Sequence, residues 1–394
     1  FVRYPQALCV VPETTCVAGD TSCPAFKRAG EGFTIDIQPM AWQSDSDTDF
    51  CDNISTPNYA HNNIELSVNL VAPSALLGGV NADDITDYSH SVPNPITTTG
   101  INTVTRAISE VGVFSITATP PDQYLGSSRP ILSGTSQAIG RFYPNDFTVS
   151  AASIADSCAG SGAFTYMDQP VPLAMTITAR NTSGATTKNY FDDFASGLAT
   201  LVAENNNDGA NSSYQSRFLP AIGLSWDQAD QGVQTVNQNL TFKRQLGSAD
   251  PNVLNTLDGP FTLMQVGVIM DDDDNVSVDS ADMNAGFNTN CSSANNCNAK
   301  QLDVKNYRYG RINLANTFGA ETTELLMPVT TQYWNDTIND WVVNTDDNSC
   351  SSFTNGTLPT SGVNFTPALT GSQSVTRFAT ATNFVLGKTE LQWN

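Results

Sequence analysis

Beginning at Gly30, apolar side chains recur at every second position in short runs, each bounded by Gly, Pro, Asn or Asp. FTIDIQPMAW (33–42), NIELSVNLVAP (63–73) and GVFSITATPP (112–121) are the clearest cases. A period of two sends successive side chains to opposite faces, so these runs predict half-buried β-strands joined by polar turns. The same style returns in GRFYPNDFTVS (140–150), AFTYMDQPVPLAMTITARN (163–181), LTFKRQ (240–245), GPFTLMQVGVIM (259–270) and SVTRFATATNFVLGKTELQW (374–393). Between Tyr307 and Cys350, Ile312 and Leu314, then Leu325, Met327 and Val329, share a strand spacing, while Arg311, Asn313 and Glu324 fall on the other side. NYFDDFASGLATLVAEN (189–205) breaks the pattern and reads equally as a short helix or a strand pair; NNNDG (205–209) is a turn by composition. No segment sustains a 3.6-residue period, and no repeat of 20–50 residues is evident, which argues against a solenoid or propeller.

These elements predict an all-β protein of tandem β-sandwich domains of immunoglobulin-like type. With 394 residues the chain exceeds the roughly 250–300 at which a single core stops growing. The expected division is a Cys-rich opening segment (1–28), a first sandwich (29–121), a Ser/Gly/Pro-rich linker (122–139) and a β-rich region (140–394) of one large or two packed units.

Charge narrows the partners. The chain carries 39 acidic and 17 basic residues, a formal net charge of -22, so it repels nucleic acid and anionic lipid. Cations and polar glycans stay open as ligands. Eight cysteines (Cys9, Cys16, Cys23, Cys51, Cys158, Cys291, Cys297, Cys350) lack the CxxC spacing of a zinc ribbon, and His61 and His90 are too few for a Cys/His cluster. Disulfides formed in an oxidising compartment are the better reading, with Cys291 to Cys297, Cys158 to Cys350, and the other four among themselves. The longest apolar run, Phe261–Met270, is about half of what a bilayer span requires. No signal peptide is visible, and a chain opening on Phe1 reads as a mature or trimmed part of a longer exported protein.

The densest acidic segment is DDDDNVSVDSAD. Taken as a twelve-residue calcium loop it places Asp271, Asp273, Asn275, Ser277, Asp279 and Asp282 at the ligating positions, making calcium the one cofactor the sequence suggests. Against this stand Val276 where the loop wants glycine, Asp282 where it wants a bidentate Glu, and strand-like flanks; the competing reading is a solvated acidic hairpin tip. Asp45, Asp47 and Asp49 make a weaker acidic loop, and Asp346 and Asp347 read as turn residues that cap backbone N–H groups. Neither a GxSxG elbow nor a Gly-rich phosphate loop is present, and both histidines read as surface residues. Paired carboxylates for glycosidase chemistry are too numerous to single out. Trp334, Asn335 and Asp336 combine a stacking face with polar loop groups and are candidate ligand contacts, whereas Tyr333 and Trp341 read as core.

Several blocks occur in an order that carries more than any one of them: GRFYPNDF (140–147), CAGSGAFTYMDQPVPLAMTITARNTSGATTKNY (158–190), DGPFTLMQVGV (258–268) and RYGRINLANTFGAETTELLMPVTTQYW (308–334) leading to WVVNTDDNSC (341–350). With them the chain after about residue 140 resembles the C-terminal region of the MshQ family, biogenesis proteins of MSHA type IV pili, and its uncharacterised bacterial relatives; ISEVGVFSITATPPDQYLG (109–126) extends the likeness loosely. The resemblance implies an exported protein on the cell surface of a Gram-negative bacterium, serving pilus structure or adhesion, with minor pilins, glycans or other surfaces as partners. It implies no catalytic residues, so the expectation is a non-enzyme. The alternatives are a calcium-dependent glycan-binding module and a polysaccharide-active enzyme.

Overall fold

The computed structural model of the protein describes residues 4–121, 124–160, 162–205, 212–245, 256–287, 290–320, 325–353 and 382–393. Glu324, most of the NNNDG turn and the first half of the final alternating run lie outside them.

The regular secondary structure of the described residues is nearly all β-strand, arranged as disulfide-stapled β-sandwiches in series. In the first, a sheet of Ala7–Pro12, Gly32–Met40 and Asn102–Ala107 faces a larger one ordered Ala25–Arg28, Ile139–Tyr143, Gly112–Thr119, His61–Ala72 and Ile85–His90. The alternation read from sequence supplies its core, with Phe33, Ile35, Ile37, Ile64, Leu66, Val68, Phe114 and Ile116 all buried. Leu8, Val10, Ile139 and Phe142 complete it, which corrects two boundaries. The expected opening segment contributes the strand Ala7–Pro12, paired along its length with Gly32–Met40. The expected linker contributes Gly134–Thr135 and the start of Ile139–Tyr143, both paired with Gly112–Thr119. Ser, Gly and Pro there mark turns between short strands of the same sheet.

The second sandwich packs the sheet Asp146–Ile154, Pro170–Arg180, Val233–Phe242 and Phe218–Leu219 on the sheet Thr165–Tyr166, Lys300–Arg308, Phe261–Asp271 and Leu198–Asn205. The ambiguous segment near Asp192 resolves into a single 3-10 turn, Asp192–Phe194, that buries Phe194 and leads into the strand Leu198–Asn205. After Tyr309 a smaller sheet forms from Gly310–Leu314, Leu325–Asn335 and Asp340–Val343, with Lys388–Trp393 added beside Leu325–Asn335. Among the described residues its own core is slight: Val329 and Phe384 are buried and Met327 partly so. Ile312 and Leu314, expected to face a core, are half exposed; among the described residues their strand Gly310–Leu314 pairs with Leu325–Asn335 alone, at the edge of the sheet.

All eight cysteines are bridged, as Cys9–Cys51, Cys16–Cys23, Cys158–Cys350 and Cys291–Cys297. Four bridges fit a protein exported to an oxidising compartment. Among the described residues no helix is long and apolar enough to cross a membrane.

Two junctions join the units. At the first, the turn after Ile108 enters the second sandwich, where Val111 and Val113 are buried in its core. Glu110, 7 % exposed, accepts hydrogen bonds from the backbone N–H groups of Val111 (2.8 Å), Lys188 (3.0 Å) and Asn189 (3.1 Å). The fully buried Asn189 side chain donates to the carbonyls of Val80 and Val111 and accepts from the Val80 N–H. Gly30, at φ +87°, lets Thr182 approach so closely that a Cβ there would lie 2.2 Å from its Oγ1. Arg141 closes the rim with two 2.6 Å hydrogen bonds to Asp274. At the second junction Arg308 lies over the rings of Phe164 and Tyr333, donating to Asn344 and, at 2.6 Å, to Asp346. Beside it the Tyr166 hydroxyl donates to Asp347. The Cys158–Cys350 bridge spans the same joint.

Candidate functional site

The acidic segment follows the strand Phe261–Asp271, and its backbone explains what its carboxylates can do. Asp272 is buried, accepting from the hydroxyls of Tyr190 and Ser196 and from the Asp274 N–H. Those bonds form a tight turn that delivers Asp274 to Arg141. Beyond it Val276 and Val278 point into the core, Ser277 and Asp279 alternate outward, and the backbone bridges Phe147 to Val278. An extended segment strings its outward side chains along a line, where a calcium loop needs a turn that gathers them. Asp279 accordingly pairs with Arg180 at 2.7 Å, which holds its carboxyl below the usual range, and Asp282 with Lys300 at 2.6 Å. Asp271, Asp273 and Asn275 are exposed, and among the described residues no three His, Cys, Asp or Glu side chains form a metal set. The geometry thus gives the segment a different task from the one its spacing suggests: it ties sheets and sandwiches together. Millimolar calcium is expected to shift the thermal midpoint by less than about 1 °C. A larger rise, removed by Asp271→Ala with Asp273→Ala, would restore the metal reading.

The weaker acidic residues are also engaged locally. Asp47 accepts from the Asp49 N–H and the Asn53 amide, and Asp49 caps the Cys51 N–H; Asp45 is exposed. Asp347, fully buried, accepts from the Ser351 N–H and hydroxyl as well as from Tyr166.

The aromatic band places Trp334 opposite Trp341 across neighbouring strands, with ring centroids 5.7 Å apart. Trp334 donates from Nε1 to Asp336, and Asp336 in turn accepts from the Gly259 N–H, so this candidate contact group is tied to the second sandwich. Asn335 accepts from the Thr337 N–H. Tyr333 and Trp341, expected in the core, are half-buried under cations: Arg308 covers Tyr333, and Arg311 lies 3.9 Å from the Trp341 ring centre. Trp341 packs with Trp334 against the core of the second sandwich, and stacked guanidinium groups cover the rest of the Tyr333 and Trp341 rings.

The histidines depart furthest from expectation. Isolated in sequence, His61 and His90 are cross-strand partners, with the Tyr59 ring in contact with both. His90 is buried, 2 % exposed, receiving the Tyr88 hydroxyl at Nδ1 and donating from Nε2 to the Gly100 carbonyl. Burial pushes its pKa down to about 4. The folded state therefore binds this proton more weakly than the unfolded chain, so the stabilisation is complete above about pH 6.5 and is lost as pH falls towards 4, by about 3 kcal/mol. Urea titrations between pH 4 and 7 should show the stability of the wild type falling more steeply towards pH 4 than that of His90→Gln, the difference being the His90 contribution. His61 stays half-buried, stacked on Tyr124 beside an open recess. Alternation in SHS and AHN was the available signal that both lie in strands; their pairing depends on a turn that no local pattern specifies.

Comparison with known proteins places the chain. Models of the second, third and fourth domains of DUF6701 match residues 4–100, 110–298 and 308–393, in order and over nearly the whole length. No curated protein matches. Among solved structures, a chain comprising the three N-terminal domains of the Highly Immunogenic Outer Capsid protein (Hoc) of bacteriophage RB49 is similar, with 10% identity, 85% of this chain and 71% of that one covered, and a TM-score of 0.22. The chain belongs to the DUF6701 family and spans its second to fourth domains.

Proposed function

We propose that this chain is a non-catalytic, exported structural element that holds a binding face away from a cell, as a structural or adhesive component of a type IV (MSHA-like) pilus, near its tip. The observation that carries the reading is the closed first junction, where Glu110, Asn189 and the Arg141–Asp274 pair satisfy one another across two sandwiches. A joint that buries polar groups in fixed hydrogen bonds resists bending, because each degree of opening exposes an unpaired donor or acceptor. Rigidity of that kind suits presentation. The four disulfides support work outside the cell, where a reducing cytoplasm cannot repair the chain. The pilus setting comes from the motif order noted above, and minor pilins are the partners it suggests.

Two measurements test the proposal. The chain is expected to co-purify with assembled pili and to retain purified minor pilins in pull-down. Absence from pili, together with no retention of pilins, cells or chitin, would remove it. Turnover of a polysaccharide that vanished on substitution of particular carboxylates would replace it with an enzyme.

A further inference from the structure

At one end of the first sandwich, loops far apart in sequence bring Tyr4, Tyr59, His61, His90 and Tyr124 together. Tyr124 contacts Tyr59 at 5.1 Å, His61 at 5.4 Å and Tyr4 at 6.4 Å between ring centres. Tyr59 and His90 are buried, while His61 and Tyr124 are partly exposed. Beside them opens a recess of about 420 Å³ lined by Ala60, His61, Asn62, Asn63 and Pro121.

The strand His61–Ala72 is irregular where it meets this recess. Its register against Ile85–His90 shifts between His61 and Ile64, and Asn63 adopts φ +56°. A regular strand would send Asn62 and Asn63 to opposite faces; with the bulge both are exposed. The His61 Nδ1–H donates to the Asn62 carbonyl at 2.8 Å, which leaves Nε2 as a free acceptor. The Tyr59 hydroxyl, buried among the rings, has no hydrogen-bond partner among the described residues. In a chain of net charge -22, none of the described residues lining this recess is an acid or a formally charged base.

From this we infer that the recess is a binding subsite for a neutral pyranose, the terminal or internal unit of a surface polysaccharide. The chemistry is selective in kind. Partly exposed rings of His61 and Tyr124 offer an apolar face to the C–H side of a sugar. Two carboxamides and an imidazole acceptor offer both donors and acceptors to neighbouring hydroxyls. Among the described residues that line it, a charged ligand would find no counter-ion. The inference rests on the adhesive branch of the proposed function and names its ligand class, at a place separate from Trp334, Asn335 and Asp336.

Saturation-transfer NMR on the full chain, with methyl β-D-glucopyranoside, methyl β-D-galactopyranoside and N-acetylglucosamine as probes, tests it. Saturable binding of at least one probe is expected, weakened about tenfold by Tyr124→Ala and by Asn63→Gly. Asn63→Gly keeps the left-handed backbone and removes only the carboxamide, so it separates loss of contact from loss of fold. Trp334→Ala is expected to leave the affinity unchanged. No saturable binding of any probe, or binding that survives both Tyr124→Ala and Asn63→Gly, overturns the subsite. Either result leaves co-purification with pili as a separate test of the structural role.

Discussion

Glu110→Ala is expected to destabilise the first junction by about 3–5 kcal/mol and to split a shared unfolding transition into two, with the first sandwich melting early. The carboxylate accepts three backbone N–H groups, and alanine leaves all three buried without an acceptor. Few substitutions remove so many hydrogen bonds at once. Val111 and Val113, seated in the second core, lose the turn that aims them. The pH dependence separates this effect from simple loss of packing. Desolvation raises the Glu110 pKa above its ordinary value of 4.5, more than its backbone hydrogen bonds lower it. The folded state then holds this proton more tightly than the unfolded chain. Its contribution is complete below about pH 4.5 and declines as pH rises through the folded value. Glu110→Gln, which cannot titrate, should remove that slope while keeping the side chain's volume. Differential scanning calorimetry and urea midpoints at several pH values read both outcomes. A single unshifted transition in Glu110→Ala would mean that the sandwiches are held by their apolar contacts alone, and would weaken the case for a rigid joint.

Much of the fold was legible because the forces that make it are local. Phe33, Ile35 and Ile37 declare a half-buried strand by spacing alone, and they are buried as that spacing requires. What escaped were features set by partners distant in the chain. Glu110 stands out by nothing in ISEVGVF; its value comes from Lys188 and Asn189, and no periodicity links them to it. Gly134–Thr135 hid in a Ser/Gly/Pro-rich stretch, and the strand Ile139–Tyr143, legible from Gly140 onward, reads as the start of the following region, because the sheet each joins is decided by Gly112–Thr119. The acidic segment is the instructive case. Counting oxygen ligands at calcium-loop spacing overlooked that Val276 and Val278 already specify an extended backbone, and an extended backbone separates what a loop would gather. Its aspartates then met Arg141, Arg180 and Lys300, cations from three other strands.

Removing the Cys158–Cys350 bridge, as Cys158→Ala with Cys350→Ala, should cost about 4–5 kcal/mol and free the last sheet from the second sandwich. The bridge closes a span of 192 residues, and the loop-closure entropy it withholds from the unfolded chain grows with the logarithm of that length. Cys291–Cys297 closes a span of six, so Cys291→Ala with Cys297→Ala should cost only about 2 kcal/mol on the same reasoning. The long bridge also matters for a reason the short one lacks. Among the described residues the last sheet's own core is Val329 and Phe384 with Met327 beside them, and burial on that scale contributes little to holding a separate unit closed. The sheet depends on its junction, where Arg308 with Asn344 and Asp346, Tyr166 with Asp347, and the bridge act within a few residues of one another. Without the bridge, those polar contacts, the Asp336–Gly259 hydrogen bond and the packing of Trp334 and Trp341 on the second core must hold the joint. Limited proteolysis should then cut after Tyr309 in the double variant at a protease concentration that leaves the wild type whole. Equal losses in the two double variants would show that local packing, and not the long closure, secures the last sheet.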